Sequence, residues 1–163
     1  MYITKKIKVP ETDFRDTVRR VSKICSVRPL GLCIYEDVQL HPEASSIDLI
    51  YKYVNGMSLA QYFKLRAFPA YALVLNNQLN DFLSDWKSIG FIHGDLSCAN
   101  IIISECKQNL TVIDPLIPLT DKTGTKEYFH PLLYWGKSKG FCTDKYAMQK
   151  VQNRLVFLPR KLK

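Results

Sequence analysis

Residues 2–9, YITKKIKV, alternate apolar and polar side chains with the period of a strand, and Pro10 closes the run. Just beyond it Phe14, Val18, Val21 and Cys25 fall on one helical face, so a strand followed by an amphipathic helix opens the chain. LGLCIYEDVQL (30–40) reads as a strand entering a hairpin, HPEASS (41–46) as a turn and IDLIYKYV (47–54) as a second β-prone run. These pieces predict a small antiparallel sheet beside one helix. NGMSL (55–59) breaks the pattern, and from Tyr71 to Gly90 the positions Leu75, Leu79, Phe82, Leu83, Trp86 and Ile89 recur at helical intervals, with Gly90 placed to end the helix. NIIIS (100–104) and LTVID (110–114) flank the polar ECKQN and read as a β-hairpin. A loop with Gly124 and Pro131 follows, and TDKYAMQKVQNRLVFL (143–158) is expected to form a last helix capped by Thr143.

A chain of 163 residues, 47% hydrophobic, buries one core or two small lobes around a cleft. The formal net charge of +8 suits an acidic ligand, a phosphate-rich substrate, a nucleic acid or an acidic protein surface, without choosing among them. No arginine-rich arm or other recognised nucleic-acid-binding motif accompanies it, so a nucleic-acid partner is not expected. The five cysteines (25, 33, 98, 106, 142) are odd in number and form no C-x-x-C pair, which argues against a zinc knuckle and a disulfide framework. The charged N-terminus is unlike a signal peptide, and no uncharged run approaches membrane-spanning length, so a reducing cytoplasmic setting is expected.

The chemistry concentrates in FIHGDLSCANIII (91–103) and LTVIDP (110–115). Phosphoryl transfer asks a protein for a carboxylate near the attacking hydroxyl and for oxygen ligands to magnesium. Asp95 and Asn100 stand five positions apart on one loop, and Asp114 ends the hairpin's second strand, where it can turn back toward them.

HGDLSCAN resembles the catalytic loop of the protein-kinase-like fold, H-x-D-x-x-x-x-N, and VIDP occupies the place of its D-F-G. The likeness runs through nearly the whole chain. YITKK resembles the strand bearing the phosphate-pairing lysine, here Lys5, and DFRDTVRRVSKI (13–24) is similar to the regulatory helix that follows it. LIYKYVNGMSL (49–59) looks like the hinge, with Tyr51 as gatekeeper and Lys52, Tyr53 and Val54 offering backbone groups to adenine. GTKEYFHP (124–131) resembles the close of an activation segment and TDKYAM the start of the next helix, where Asp144 would brace the catalytic loop. The resemblance implies an α+β, reduced bilobal kinase-like fold, with residues 1–56 as the smaller lobe and 57–163 as the larger. It implies ATP with Mg²⁺ or Mn²⁺ as cofactors, Asn100 and Asp114 as metal ligands, Asp95 as the catalytic carboxylate, and transfer to a protein Ser or Thr hydroxyl.

Departures from that pattern are equally specific. No glycine-rich loop precedes Lys5, so the phosphates would lose that cover. Thr17 stands where the lysine's glutamate partner would align, leaving Glu11, Asp13 or Asp16 as substitutes. Pro115 and Leu116 replace Phe and Gly of D-F-G, which fixes that segment, since proline locks its own φ. Gly94 replaces the arginine that captures an activation-segment phosphate, so phosphorylation of that loop is not expected to switch the protein. The helices that complete a kinase lobe are not expected after residue 163, and a protein partner, substrate or regulator, is expected to cover apolar surface. The competing expectation is a pseudokinase that occupies a protein partner and does no chemistry.

Overall fold

The computed structural model describes residues 1–65, 72–106, 108–117, 119, 124–131, 133 and 138–157. The first part of the chain gives β1 (Tyr2–Lys8), α1 (Phe14–Val27), β2 (Tyr35–His41) and β3 (Ser46–Lys52). The three strands form one antiparallel sheet in the order β1-β3-β2, with Lys5 opposite Leu49 and Ile3 opposite Tyr51. The expected strand from residue 30 begins only at Tyr35, because Gly31–Cys33 turn away to pair elsewhere. In α1, Thr17, Val21 and Ile24 are buried, and Phe14, Val18 and Cys25 pack at the edge of the same core.

After β3 come β4 (Met57–Ser58), α2 (Leu59–Lys64), α3 (Ala72–Ser88), β5 (Ile101–Ile103), β6 (Leu110–Val112) and α4 (Phe141–Phe157). Strands β4, β5 and β6 make a second small sheet, and Gly31–Cys33 stitch its β6 edge to the first half of the chain: Val112 N donates to Gly31 O (2.7 Å) and Cys33 N to Val112 O (2.8 Å). Ser58 opens α2 with a full capping box, its side chain accepting from Gln61 N while Gln61 Oε1 accepts from Ser58 N at 3.0 Å. Ser58→Ala is expected to lower stability by about 1 kcal/mol, read from the urea midpoint at unchanged m-value.

Helix α3 carries the larger core. Leu75, Leu79, Phe82 and Trp86, spaced at helical intervals, are buried, as are Met148, Val151 and Leu155 of α4, which packs against α3. Trp86 is completely buried and satisfied, its Nε1 donating to Leu30 O at 2.9 Å. Its indole stacks on the His93 imidazole, 5.9 Å between centroids, so the central helix sets the plane of the ring that opens the catalytic-like loop. Helix α3 begins at Ala72; Tyr71, where the sequence pattern starts it, and Leu158, where it ends the last helix, lie outside the described residues.

Helix α4 starts at Phe141, and Thr143 is not its cap. The Thr143 hydroxyl donates to Gly140 O (2.6 Å) and accepts from Gly140 N (3.2 Å), looking back from within the first turn. A threonine before an apolar run signals a helix start, but here Gly140 supplies the backbone groups at the boundary.

Candidate active site

The loop from Phe91 to Asn100 is held by its own backbone. Asp144, 2% exposed near the start of α4, accepts from His93 N at 2.6 Å and from Gly94 N at 2.9 Å, the bracing that its position implied. Burial pushes its carboxyl up to about 6 against those two donors and the nearby Arg20 and Lys139 cations. His93 is fully buried; its Nε2–H donates to Ile113 O at 2.9 Å and its Nδ1 accepts from Asp95 N at 3.2 Å, so both ring nitrogens are used in the neutral form. Burial lowers its pKa to about 4.

Gly94 sits at φ 84°, and a Cβ there would lie 2.5 Å from Leu119 Cδ1 and 3.2 Å from Leu116 Cβ. The position takes no side chain at all, which gives a local physical reason for glycine where an arginine would capture phosphate.

Asp95 and Asn100 meet directly. Asn100 Nδ2 donates to the Asp95 carbonyl (2.8 Å) and to Asp95 Oδ2 (3.3 Å), while Asp95 Oδ1 accepts from Thr125 N at 2.6 Å. The GTKEY segment therefore docks on the catalytic-like carboxylate through its backbone. Gly124 is shaped by that closeness: a Cβ there would stand 3.0 Å from Asp95 Oδ1 and 3.3 Å from Lys139 Nζ.

Asp114 lies two residues beyond β6 rather than at its end, in the left-handed region at φ 56°. Asp tolerates that conformation better than most residues, yet the turn still costs of order 1 kcal/mol, and it aims the carboxylate back toward β1. There Lys5 Nζ meets Asp114 Oδ1 at 2.9 Å. Both side chains are about two-fifths exposed, so the pair contributes little to stability. Ile113, the residue before it, donates to Asn100 O at 2.9 Å, tying the Asp114 segment to the Asp95–Asn100 loop.

Lys5 thus pairs with Asp114, whereas the substitutes on and before α1 are engaged elsewhere or exposed: Asp16 pairs with Arg19 at 3.3 Å, and Glu11 is exposed. Thr17 is buried and turns its hydroxyl to Asp13 O, 2.8 Å away. At the expected hinge, Tyr51 packs edge-on against Tyr35 with centroids 6.3 Å apart, and burial together with the Asp114 charge raises its phenol pKa. Lys52 closes β3 opposite Tyr2, Tyr53 N donates to Met1 O at 3.0 Å, and Val54 lies past the strand end.

Two cations escaped the sequence reading. Arg20 of α1 reaches across to the loop, with Nε on Leu116 O (2.7 Å) and an Nη on Ile92 O (2.7 Å). Lys139, 7% exposed, lies over the Phe129 ring at 5.1 Å and beside Gly124. Neither differs in sequence from an ordinary solvated cation; only the packing selects them.

On the side of the loop carrying Ser97, a cleft of about 350 Å³ is lined by Phe63, Lys64, Ser97, Cys98, Thr125 and Arg154, among others. Arg154 donates to the Tyr128 hydroxyl at 2.9 Å and pairs with Glu127, fixing the GTKEY segment against α4. Among the described residues no three His, Cys, Asp or Glu side chains cluster to hold a metal ion. The pair that the kinase-like pattern would use, the Asp114 carboxylate and the Asn100 amide, would suit Mg²⁺ completed by phosphate oxygens and water better than a closed protein cage.

No protein-family model matches the chain. Over 95 residues it is 27% identical to a probable casein kinase II subunit alpha homolog of Encephalitozoon cuniculi, a match covering 58% of this chain and 27% of that protein. Its backbone resembles that of the Cydia pomonella granulovirus kinase PK-1, with a TM-score of 0.73 at 19% identity over 95% of this chain and 59% of the viral one. The fold is protein-kinase-like, α+β with small antiparallel sheets against a mainly helical part. The chain spans less than two thirds of the length of either protein. No helix among the described residues is long and apolar enough to cross a membrane, and all five cysteines are free.

Proposed function

We propose that this protein transfers a phosphoryl group from ATP, bound with Mg²⁺ or Mn²⁺, to a Ser or Thr hydroxyl of a protein. The observation that carries the reading is the Lys5–Asp114 ion pair beside the linked Asp95 and Asn100 side chains. In the absence of nucleotide the two charges neutralise each other; a metal–triphosphate offers each a better partner, phosphate oxygens for Lys5 and the cation for Asp114 and Asn100. The bound metal would supply charge neutralisation as the phosphoryl group departs. Asp95 orients the acceptor hydroxyl and takes its proton. Tyr51 and the backbone of Lys52, Tyr53 and Val54 form the adenine end, Tyr53 through its carbonyl, since its N–H is bonded to Met1 O.

Support for a protein acceptor comes from Thr125, bonded to Asp95 through its backbone, and from the cleft that Thr125 lines. A reducing setting, the cytoplasm of the cell or of a host, fits five unpaired thiols. The scaffold alternative draws on α1, which brings no carboxylate to Lys5.

Thermal shift separates the two. Mg·ATP at a hundredfold excess over Kd should add about 2.7 kcal/mol, a rise of several degrees in Tm. Mg²⁺ alone should add little, because two protein ligands do not complete its shell. Asp114→Asn should remove the metal-dependent part. No shift with millimolar Mg·ATP would leave the scaffold reading.

A further inference from the structure

The helix α1 is joined to the chemistry by a route that does not pass through Lys5. Arg20 spans two chain segments at once: its Nε donates to Leu116 O at 2.7 Å, and one terminal nitrogen donates to Ile92 O at 2.7 Å and, at 3.4 Å, to His93 O. Leu116 N in turn donates to His93 O at 2.9 Å, closing the ring between the two segments. One turn further along α1, Lys23 Nζ donates to Gly90 O at 3.1 Å, so the helix meets the start of the same loop twice.

Placing a guanidinium there is costly, and burial holds its pKa below the ordinary value, opposed by Tyr35 and Asp144. The return is geometric. The planar fork of an arginine can bind two carbonyls on different segments in one fixed orientation, which a lysine ammonium cannot reproduce. The carbonyls it holds lie three and two residues before Asp95 and two after Asp114.

We propose that Arg20 is a positioning residue that keeps the Asp95 loop and the Asp114 segment in working register, coupling α1 to the site where Thr17 supplies no carboxylate. It touches neither substrate nor metal. Its partners are main-chain carbonyls, which no modification or change of side-chain charge can withdraw, so the site is assembled without an activating event. Pro115, between Asp114 and the clamped Leu116, stiffens the same segment.

The rate arm of the test rests on the phosphotransfer reading, whereas the exchange arm does not. Hydrogen exchange without nucleotide is followed in the wild type, Arg20→Gln and Arg20→Lys. In Arg20→Gln the amides of Gly94 and Leu116 should exchange at least about tenfold faster together, while those of β3 and α4 keep the wild-type rate. Arg20→Lys, which keeps the charge and loses the fork, should fall between. In ATP turnover, Arg20→Gln should lower kcat about 100-fold with KM for ATP within about threefold, since β1 and the hinge make no bond to Arg20.

If Arg20→Gln speeds exchange everywhere, Arg20→Lys decides: faster exchange confined to the two segments supports the clamp, and wild-type exchange there overturns it. Unchanged exchange at Gly94 and Leu116 in Arg20→Gln also overturns it. Absence of ATP turnover in the wild type would defeat the phosphotransfer reading and leave the exchange result to decide the clamp.

Discussion

Asp95→Asn is expected to cut ATP turnover, with water or protein as acceptor, by roughly 10²–10⁴-fold while the protein stays folded. The substitution is nearly isosteric. An amide oxygen can still accept from Thr125 N, the contact made at 2.6 Å by Asp95 Oδ1. What is lost is the second carboxylate oxygen, which now accepts from Asn100 Nδ2 at 3.3 Å and which, in the proposed reaction, would receive the hydroxyl proton. An NH₂ group in its place faces another donor, so that contact is lost. Because the Asp95 carbonyl keeps its own bond to Asn100 Nδ2 at 2.8 Å, the loop has a second tether and the melting temperature should stay within a few degrees. The measurement is release of labelled phosphate at saturating Mg·ATP, with far-ultraviolet circular dichroism as the control for folding. A variant that retains more than about a tenth of the wild-type rate would remove Asp95 from the chemistry, since a positioned base contributes at least about a hundredfold.

The strands β1 and β3 and the helices α1 and α3 were legible in the sequence because each buries one face, and a one-sided burial writes its period into the residues. Leu75, Leu79, Phe82 and Trp86 show this in α3, and Val21 and Cys25 in α1. The kinase-like fold was legible through HGDLSCAN and VIDP, whose order and spacing are set by the loop and hairpin that they must build. What stayed hidden is what depends on contacts between distant segments. Arg20 is one of three arginines in α1, with Arg15 and Arg19, and periodicity alone did not select the one that turns inward. Lys139 resembles any lysine in a polar loop until α4 packs and buries it. The partner of Lys5 was sought on α1, the nearest helix in sequence, whereas the left-handed turn at Asp114 brings in a carboxylate 109 positions away. The absence of a glutamate from α1 bears on the Lys5 side only; the Asp95, Asn100 and Asp144 backbone and side chains are linked by hydrogen bonds.

That bonded side also sets how stability responds to acid, through two buried groups acting in opposite directions. His93 has its pKa lowered from 6.5 to about 4, so the folded state prefers the neutral ring; the stability this gives is full above 6.5 and is lost as pH falls through 4. Asp144 has its pKa raised from 3.8 to about 6, so the folded state prefers the protonated carboxyl; this contribution is full below 3.8 and is lost as pH rises through 6. Each shift covers about two units, worth about 3 kcal/mol at 1.36 kcal/mol per unit. In the wild type the two slopes oppose each other between pH 4 and 6 and largely cancel. Asp144→Asn removes one of them, and the variant should lose about 3 kcal/mol relative to wild type on going from pH 6.5 to 4. His93→Gln, whose amide can still donate to Ile113 O, leaves the other, and this variant should gain about as much relative to wild type from pH 6 to 4. Urea unfolding of the three proteins at pH 4, 5 and 6.5 reads the difference, and all groups common to them drop out of the comparison. Curves for both variants running parallel to wild type would mean that neither group titrates differently on folding. Opposite slopes would show that the core beneath Asp95 disfavours charge on both His93 and Asp144, the neutral ring being the form whose Nδ1 accepts from Asp95 N.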